Sequence, residues 1–177
     1  MSGSTTSTPG ARRPLIVTAE IAPRDFSWLE GLRRAHYPLE RNQVPAHLTM
    51  FHALPPSAEA ELRSRLARIV RGPPPKAIVA GLMDLGGGVA FRIVSTELDM
   101  MREELADALH GLLGAQDSDG WRPHITIQNK VAPKVARALK ANLEATFQPR
   151  PLAIGGLAVH RYAGGPWEPV AAYPFRA

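Results

Sequence analysis

The sequence contains no cysteine. That removes disulfides, thiolate nucleophiles and cysteine-ligated zinc together, and it suits a reducing compartment. Nor is there any stretch approaching the roughly 18 apolar residues that a spanning helix needs, and the first residues lack the apolar core of a secretory signal. The expectation is a cytoplasmic protein with no membrane partner. None of the six histidines stands four residues from another, the helical spacing of hydrolytic zinc motifs, so no metal is expected. Gly86, Gly87 and Gly88 lack the Lys-Ser/Thr and the helix start of a phosphate loop, and a hairpin turn is the better account of them.

What remains is a chain of 177 residues, enough for one ordinary domain or two small lobes that share a core. Its 45% hydrophobic and 21% charged fractions are those of a soluble globular protein. A formal charge of +5 favours an anionic partner through phosphate contacts, although abundant arginine accounts equally well for the basic balance. Residues 1–14 are rich in Ser, Thr, Gly and Pro and read as a disordered tail.

From Leu15 onward, strand and helix signals alternate with short connections. Leu15–Ile21 reads as a strand and Pro23–Ala35 as a helix opening on proline. A strand follows over His47–Leu54, then a helix capped by Ser57, with Leu62, Leu66 and Ile69 at helical spacing. Lys76–Leu85 and Val89–Thr96 form a hairpin around the glycines. The second half reads as a helix (Leu98–Leu113), a strand (His124–Asn129), a helix (Pro133–Phe147) and two closing strands, around Leu152–Tyr162 and Pro169–Phe175.

That order repeats itself. A single ungapped offset of 77 residues carries His47-Leu48-Thr49-Met50 onto His124-Ile125-Thr126-Ile127, Leu62 and Leu66 onto Leu139 and Leu143, and Glu20 onto Glu97. The expected fold is α+β: two pseudo-twofold-related lobes of mainly antiparallel sheet with outer helices, about residues 15–90 and 91–177, enclosing a central groove. Equivalent strands meet near such an axis, so His47 and His124 would face each other.

Side chains two apart on a strand project to the same face. His47 therefore shares a face with Thr49, and His124 with Thr126, while Leu48, Met50, Ile125 and Ile127 point back into the core. One histidine-threonine pair would be a surface strand pair; two, at equivalent places of a repeat, are a site. Imidazole titrates near neutrality, at about 6.5 when unperturbed, so two of them flanking a phosphate form a general acid-base pair. Threonine hydroxyls supply neutral donors to the non-bridging oxygens. The catalytic candidates are His47, His124, Thr49 and Thr126.

The paired H-x-T-x motifs resemble those of the 2H phosphoesterase superfamily, in particular its bacterial 2′-5′ RNA ligase or cyclic phosphodiesterase-like branch. The resemblance spans about residues 15 to 175 and includes Pro123 before the second histidine. It implies a bilobal fold around a groove, no cofactor, and hydrolysis of the 2′,3′-cyclic phosphate of RNA or nucleotides to a 2′-phosphate, in some members with reversible 2′-5′ ligation. Many RNA-ligase-like members carry an arginine shortly after the second histidine; here the strand continues Gln128-Asn129-Lys130.

Four further residues are candidates for substrate binding. Phe51 shares the face of His47 and Thr49, for stacking on a base or for the core. Trp121 and Arg122 precede the second motif, and Arg122 offers a forked donor to phosphate or a merely solvated charge. Tyr162 is a further stacking candidate. His52 is expected to face away from His47, in a structural role. A monomer suffices for this site, and a non-catalytic nucleotide or RNA-binding module on the same fold is the competing reading.

Overall fold

A computed structural model describes residues 13–176, so all but the last two residues of the polar segment 1–14 lie outside the described residues. The elements follow the order β1 (Leu15–Ile21), α1 (Pro23–His36), β2 (Leu48–Leu54), α2 (Glu59–Ile69), β3 (Lys76–Asp84), β4 (Val89–Val94), α3 (Thr96–Ala108), α4 (Ala115–Ser118), β5 (His124–Gln128), α5 (Pro133–Glu144), β6 (Arg150–Tyr162) and β7 (Trp167–Pro174). Every expected strand and long helix is present. Several boundaries moved, the helix expected over Leu98–Leu113 ending at Ala108 and that over Pro133–Phe147 at Glu144, and two of the shifts have identifiable reasons. Ser57 does not cap α2, because Pro56–Ala58 forms a 3₁₀ turn first. Ser95 does cap α3, its hydroxyl accepting from the Leu98 N–H at 3.1 Å, which starts that helix before Leu98.

The strands form one antiparallel sheet in the order β2-β1-β6-β3-β4-β5, with β7 beside β6. Strand β6 is shared: Arg150–Ala153 pairs with β3, and Ile154 onward pairs with β1. Gly155 marks the transition, unpaired where the register slips between Glu20 and Ile21, and a bulge of this kind bends the strand that carries it. The neighbouring Gly156 has no room for a side chain, since a Cβ there would lie 2.6 Å from the Tyr173 carbonyl oxygen.

The two lobes are consequently not the contiguous halves expected, about 15–90 and 91–177. Strand β3 lies before residue 90 yet pairs with β4, and β6, from the second half, pairs with β1. The tight turn from β3 to β4 is the physical cause. Gly86 sits at φ +82°, the Asp84 carboxylate accepts its N–H at 2.7 Å, and the two strands cannot then separate into different lobes. Each repeat thus lends its third strand to the other.

The 77-residue match holds between the motif strands and shifts elsewhere. Thr18 lies opposite Thr49, and Ala90 opposite Thr126, so the second unit is five residues longer between its first strand and its motif strand. Glu20 on β1 and Glu97 in α3 are therefore not equivalent. Both motif strands carry a register slip at the same place, between Val17 and Thr18 in one unit and Val89 and Ala90 in the other.

Behind the motif strands, Leu48, Met50, Ile125 and Ile127 are fully buried and join one hydrophobic cluster with Leu15, Leu62, Leu66, Leu98 and Leu105. Each such side chain stabilises the fold by roughly 1.5–3 kcal/mol, so the strands bearing the histidines are firmly anchored. No described helix is long and apolar enough to cross a membrane.

Candidate active site

Strands β2 and β5 occupy opposite ends of the sheet order, yet they touch across the groove. Edge strands expose unpaired backbone groups, and here side chains from elsewhere satisfy them. The Trp121 indole N–H donates to the Thr49 carbonyl at 2.9 Å, and Arg102 of α3 donates from Nε to the Met50 carbonyl at 3.2 Å. In the other direction Arg33 of α1, 4% exposed, donates from Nη1 to the Thr126 carbonyl at 2.9 Å. Helix α1 also holds the first motif, through Glu30 Oε2, which accepts the Ala46 N–H at 2.8 Å. Each motif is thus clamped by residues of the opposite repeat or of the helix between them.

The histidines are mirror images in their local bonding. His47 stands immediately before β2, and its Nδ1 lies 2.9 Å from the Pro45 carbonyl oxygen. His124 opens β5, and its Nδ1 lies 2.7 Å from the Arg122 carbonyl oxygen. A carbonyl only accepts, so Nδ1 carries the proton in both rings and each Nε2 is the atom left for chemistry. Both side chains, like those of Thr49 and Thr126, are partly exposed.

Burial and neighbouring charges act strongly on His47. Desolvation pushes the His47 pKa down to about 4, against the bond to the Pro45 carbonyl; the charges of Arg33, His124 and His160 push in the same downward direction. His47 is therefore neutral at neutral pH. Its ring packs on Trp167, centroids 4.6 Å apart and tilted by 60°, and Trp167 also contacts His160 at 5.5 Å.

Two cavities flank the motifs. The first, about 350 Å³, is walled by His47, Phe26, Trp167, Pro169, Thr18 and His160; among the described residues Glu20 is its only acidic wall and no lysine or arginine lines it. The second, about 290 Å³, is walled by Thr49, His124, His52, Arg102, Trp121 and Arg122. Thr49 and His124, from different repeats, thus share one cavity. Among the described residues no cluster of three or more His, Asp or Glu side chains could hold a metal ion.

The substrate-binding candidates separate on this geometry. Trp121 and Arg122 line the second cavity, the former as a strut for Thr49 and the latter exposed. Phe51 does not reach the site. The register slip places two residues of β2 against one of β1, so the alternation reverses after Met50 and Phe51 turns inward to full burial, under the Arg102 guanidinium at 4.4 Å. The same reversal swings His52, expected to face away, into the second cavity. Tyr162 is 43% exposed at the end of β6 and lines neither cavity; Trp167, directly opposite it on β7, supplies the aromatic wall instead.

Trp167, Arg33, Arg102 and Asp117 were not singled out from the sequence. The turn Gly164-Gly165-Pro166 before Trp167 was the one local sign that an aromatic would be presented at a strand start. Buried Arg33 and half-buried Arg102 had no sign at all.

The fold has been seen before. A structure of TT0787 of Thermus thermophilus superposes with a TM-score of 0.64 at 17% identity, covering 93% of this chain and 98% of that one. E. coli LigT complexed with NADP+ superposes with a TM-score of 0.60 at 18% identity, covering 93% and 98%. E. coli LigT complexed with 3′-AMP gives 0.55 at 14% identity, covering 94% and 99%. At these identities the likeness is one of fold. No curated protein sequence matches the chain. The model of the 2′-5′ RNA ligase superfamily matches residues 20–166, a span that contains both histidine-threonine motifs, and the chain belongs to that family of 2H phosphoesterases.

Proposed function

We propose that the protein hydrolyses the 2′,3′-cyclic phosphate of RNA ends or nucleotides to a 2′-phosphate by two-histidine acid-base catalysis. The observation that carries this reading is the mirrored pair of imidazoles, each fixed through Nδ1 to the carbonyl two residues earlier, which leaves two Nε2 atoms free at the starts of strands that touch.

A neutral His47 is suited to take a proton from the attacking water through Nε2. The water oxygen bonds to phosphorus, the bond to O3′ breaks, and His124 gives its Nε2 proton to O3′, which leaves the phosphate on O2′. The hydroxyls of Thr49 and Thr126 donate to the non-bridging oxygens, where charge gathers in the transition state. Trp167, with Phe26 and Pro169 beside it, offers a stacking wall for the base next to His47. The nucleotides held by LigT, 3′-AMP and NADP+, support a nucleotide ligand here. In 2′-5′ ligation a 5′-hydroxyl takes the place of the water: His47 accepts its proton, its oxygen bonds to phosphorus, the bond to O3′ breaks and His124 protonates O3′, giving the 2′-5′ phosphodiester. One chain supplies both motifs, so a monomer in the cytoplasm suffices.

The test is hydrolysis of nucleoside 2′,3′-cyclic phosphates and cyclic-phosphate-ended RNA, with and without chelator, and identification of the product isomer. A 2′-phosphate formed equally well in chelator is expected. A 3′-phosphate product, or activity abolished by chelation, would overturn the mechanism.

A further inference from the structure

His52 and Asp117 have no part in the chemistry proposed above, yet they are built into its second cavity. Asp117, 1% exposed on α4, accepts three N–H groups: the backbone N–H of His52 at 2.8 Å, the His52 Nδ1–H at 3.1 Å and the backbone N–H of Ala53 at 3.0 Å. Burial acts to raise the Asp117 pKa, and the bonds from His52 and Ala53 outweigh it, holding the carboxyl below the usual carboxylate range. A carboxylate bonded to Nδ1 fixes the imidazole and leaves Nε2 as its free arm. The register slip in β2 aims that ring into the cavity shared with Thr49 and His124.

The cavity's other walls favour an anion. Arg102 is held in place by the carbonyls of Met50 and Asp117, at 3.2 and 2.6 Å, and Arg122 stands exposed at the rim. Against these stand the carboxylate of Asp117, already accepting from three donors, and the exposed Asp119. The first cavity is the opposite case: aromatic and prolyl walls and, among the described residues, one glutamate and no lysine or arginine. The two sides of the histidine pair therefore suit chemically different parts of one ligand.

We propose that the His124-side cavity is a subsite for a second phosphate of the substrate, with His52, oriented by Asp117, as its specificity-determining ligand. This rests on the nucleotide reading above and deepens it. With the base against Trp167 and the reacting phosphate between His47 and His124, the second phosphate is the one carried through the ribose at the 5′ position. The preferred substrate class is then a nucleotide or oligonucleotide with a 5′-phosphate or phosphodiester, rather than a bare nucleoside cyclic phosphate.

Calorimetric titration of the full chain with adenosine 2′-monophosphate and adenosine 2′,5′-bisphosphate tests this. The expected result is that the wild-type protein binds the bisphosphate about tenfold more tightly, the scale of one charge-assisted hydrogen bond. In His52→Asn the amide nitrogen replaces Nδ1 towards Asp117 but nothing replaces Nε2, and the ratio of affinities should fall to about one. His52→Gln, whose longer amide reaches the Nε2 position, should retain part of the preference.

A wild-type ratio near one, which needs no variant, overturns the second-phosphate subsite while leaving the nucleotide reading standing. An unchanged ratio in His52→Asn overturns the role of His52. Failure of the wild-type protein to bind either nucleotide overturns the nucleotide reading together with this extension.

Discussion

Replacing Trp167 by alanine should return His47 towards ordinary imidazole behaviour. In the folded protein desolvation holds the His47 pKa at about 4, and the indole ring 4.6 Å away is a large part of the wall that excludes water from one side of the imidazole. From about 4 to an unperturbed 6.5 is some 2.5 pKa units, and each unit corresponds to about 1.4 kcal/mol between the two protonation states. The charges of Arg33, His124 and His160 remain in Trp167→Ala, so part of the depression persists. A rise of at least one unit is expected, worth about 1.4 kcal/mol. The assay is an NMR titration of the imidazole CH signals, with the His47 resonance assigned by its absence in His47→Gln. The acid limb of kcat/KM should move up with it, since that limb reports the base of the free enzyme. A wild-type His47 that titrates near 6.5, or one that Trp167→Ala leaves at about 4, would refute the reasoning.

Four other outcomes follow from the geometry. A depressed histidine pKa means the unfolded chain binds more protons between about pH 6.5 and 4, so stability must fall as pH drops through that window; melting temperature against pH should show it, and His47→Gln should flatten it. Asp117, depressed instead, contributes stability above the ordinary carboxylate range that is lost at still lower pH, and Asp117→Asn should remove that lower step. Arg33→Ala deletes the bonds to Thr126 and Asn42, each with a charged donor, and should cost about 3 kcal/mol or more in urea unfolding; a loss under 1 kcal/mol would contradict its place as the clamp on β5. Trp167→Ala should also raise KM about tenfold, the scale of one stacked base, whereas Tyr162→Ala should leave it within twofold; the reverse ranking in steady-state kinetics would put the base elsewhere.

Much of this site was legible in one dimension because its signals are local. Alternating burial around His47 and His124, the glycine turn before β4 and the proline starts of α1 and α5 each concern a few neighbouring residues. The features that escaped depend on chain paths. Phe51 and His52 follow a plain alternation in sequence, and only the extra residue in β2 exchanges their faces. Nothing local distinguishes Arg33 or Arg102 from the surface arginines around them; their bonds to the motif strands follow from where α1 and α3 lie against those strands. The exchange of third strands between the repeats was invisible for the same reason, since hairpin closure fixes β3 to β4 whatever half of the chain it belongs to.

His47 and His124 are proposed to act as one unit on one phosphate. Residues acting as a unit give non-additive losses, because once either is gone the other has no concerted step left to assist. The most direct measurement is kcat/KM on a nucleoside 2′,3′-cyclic phosphate for the wild type, His47→Ala, His124→Ala and the double variant. The prediction is a loss of at least about 100-fold in each single variant, with the double variant no more than a few-fold worse than either. Losses that multiply in the double variant, or a single variant that keeps most of the activity, would contradict a paired acid and base.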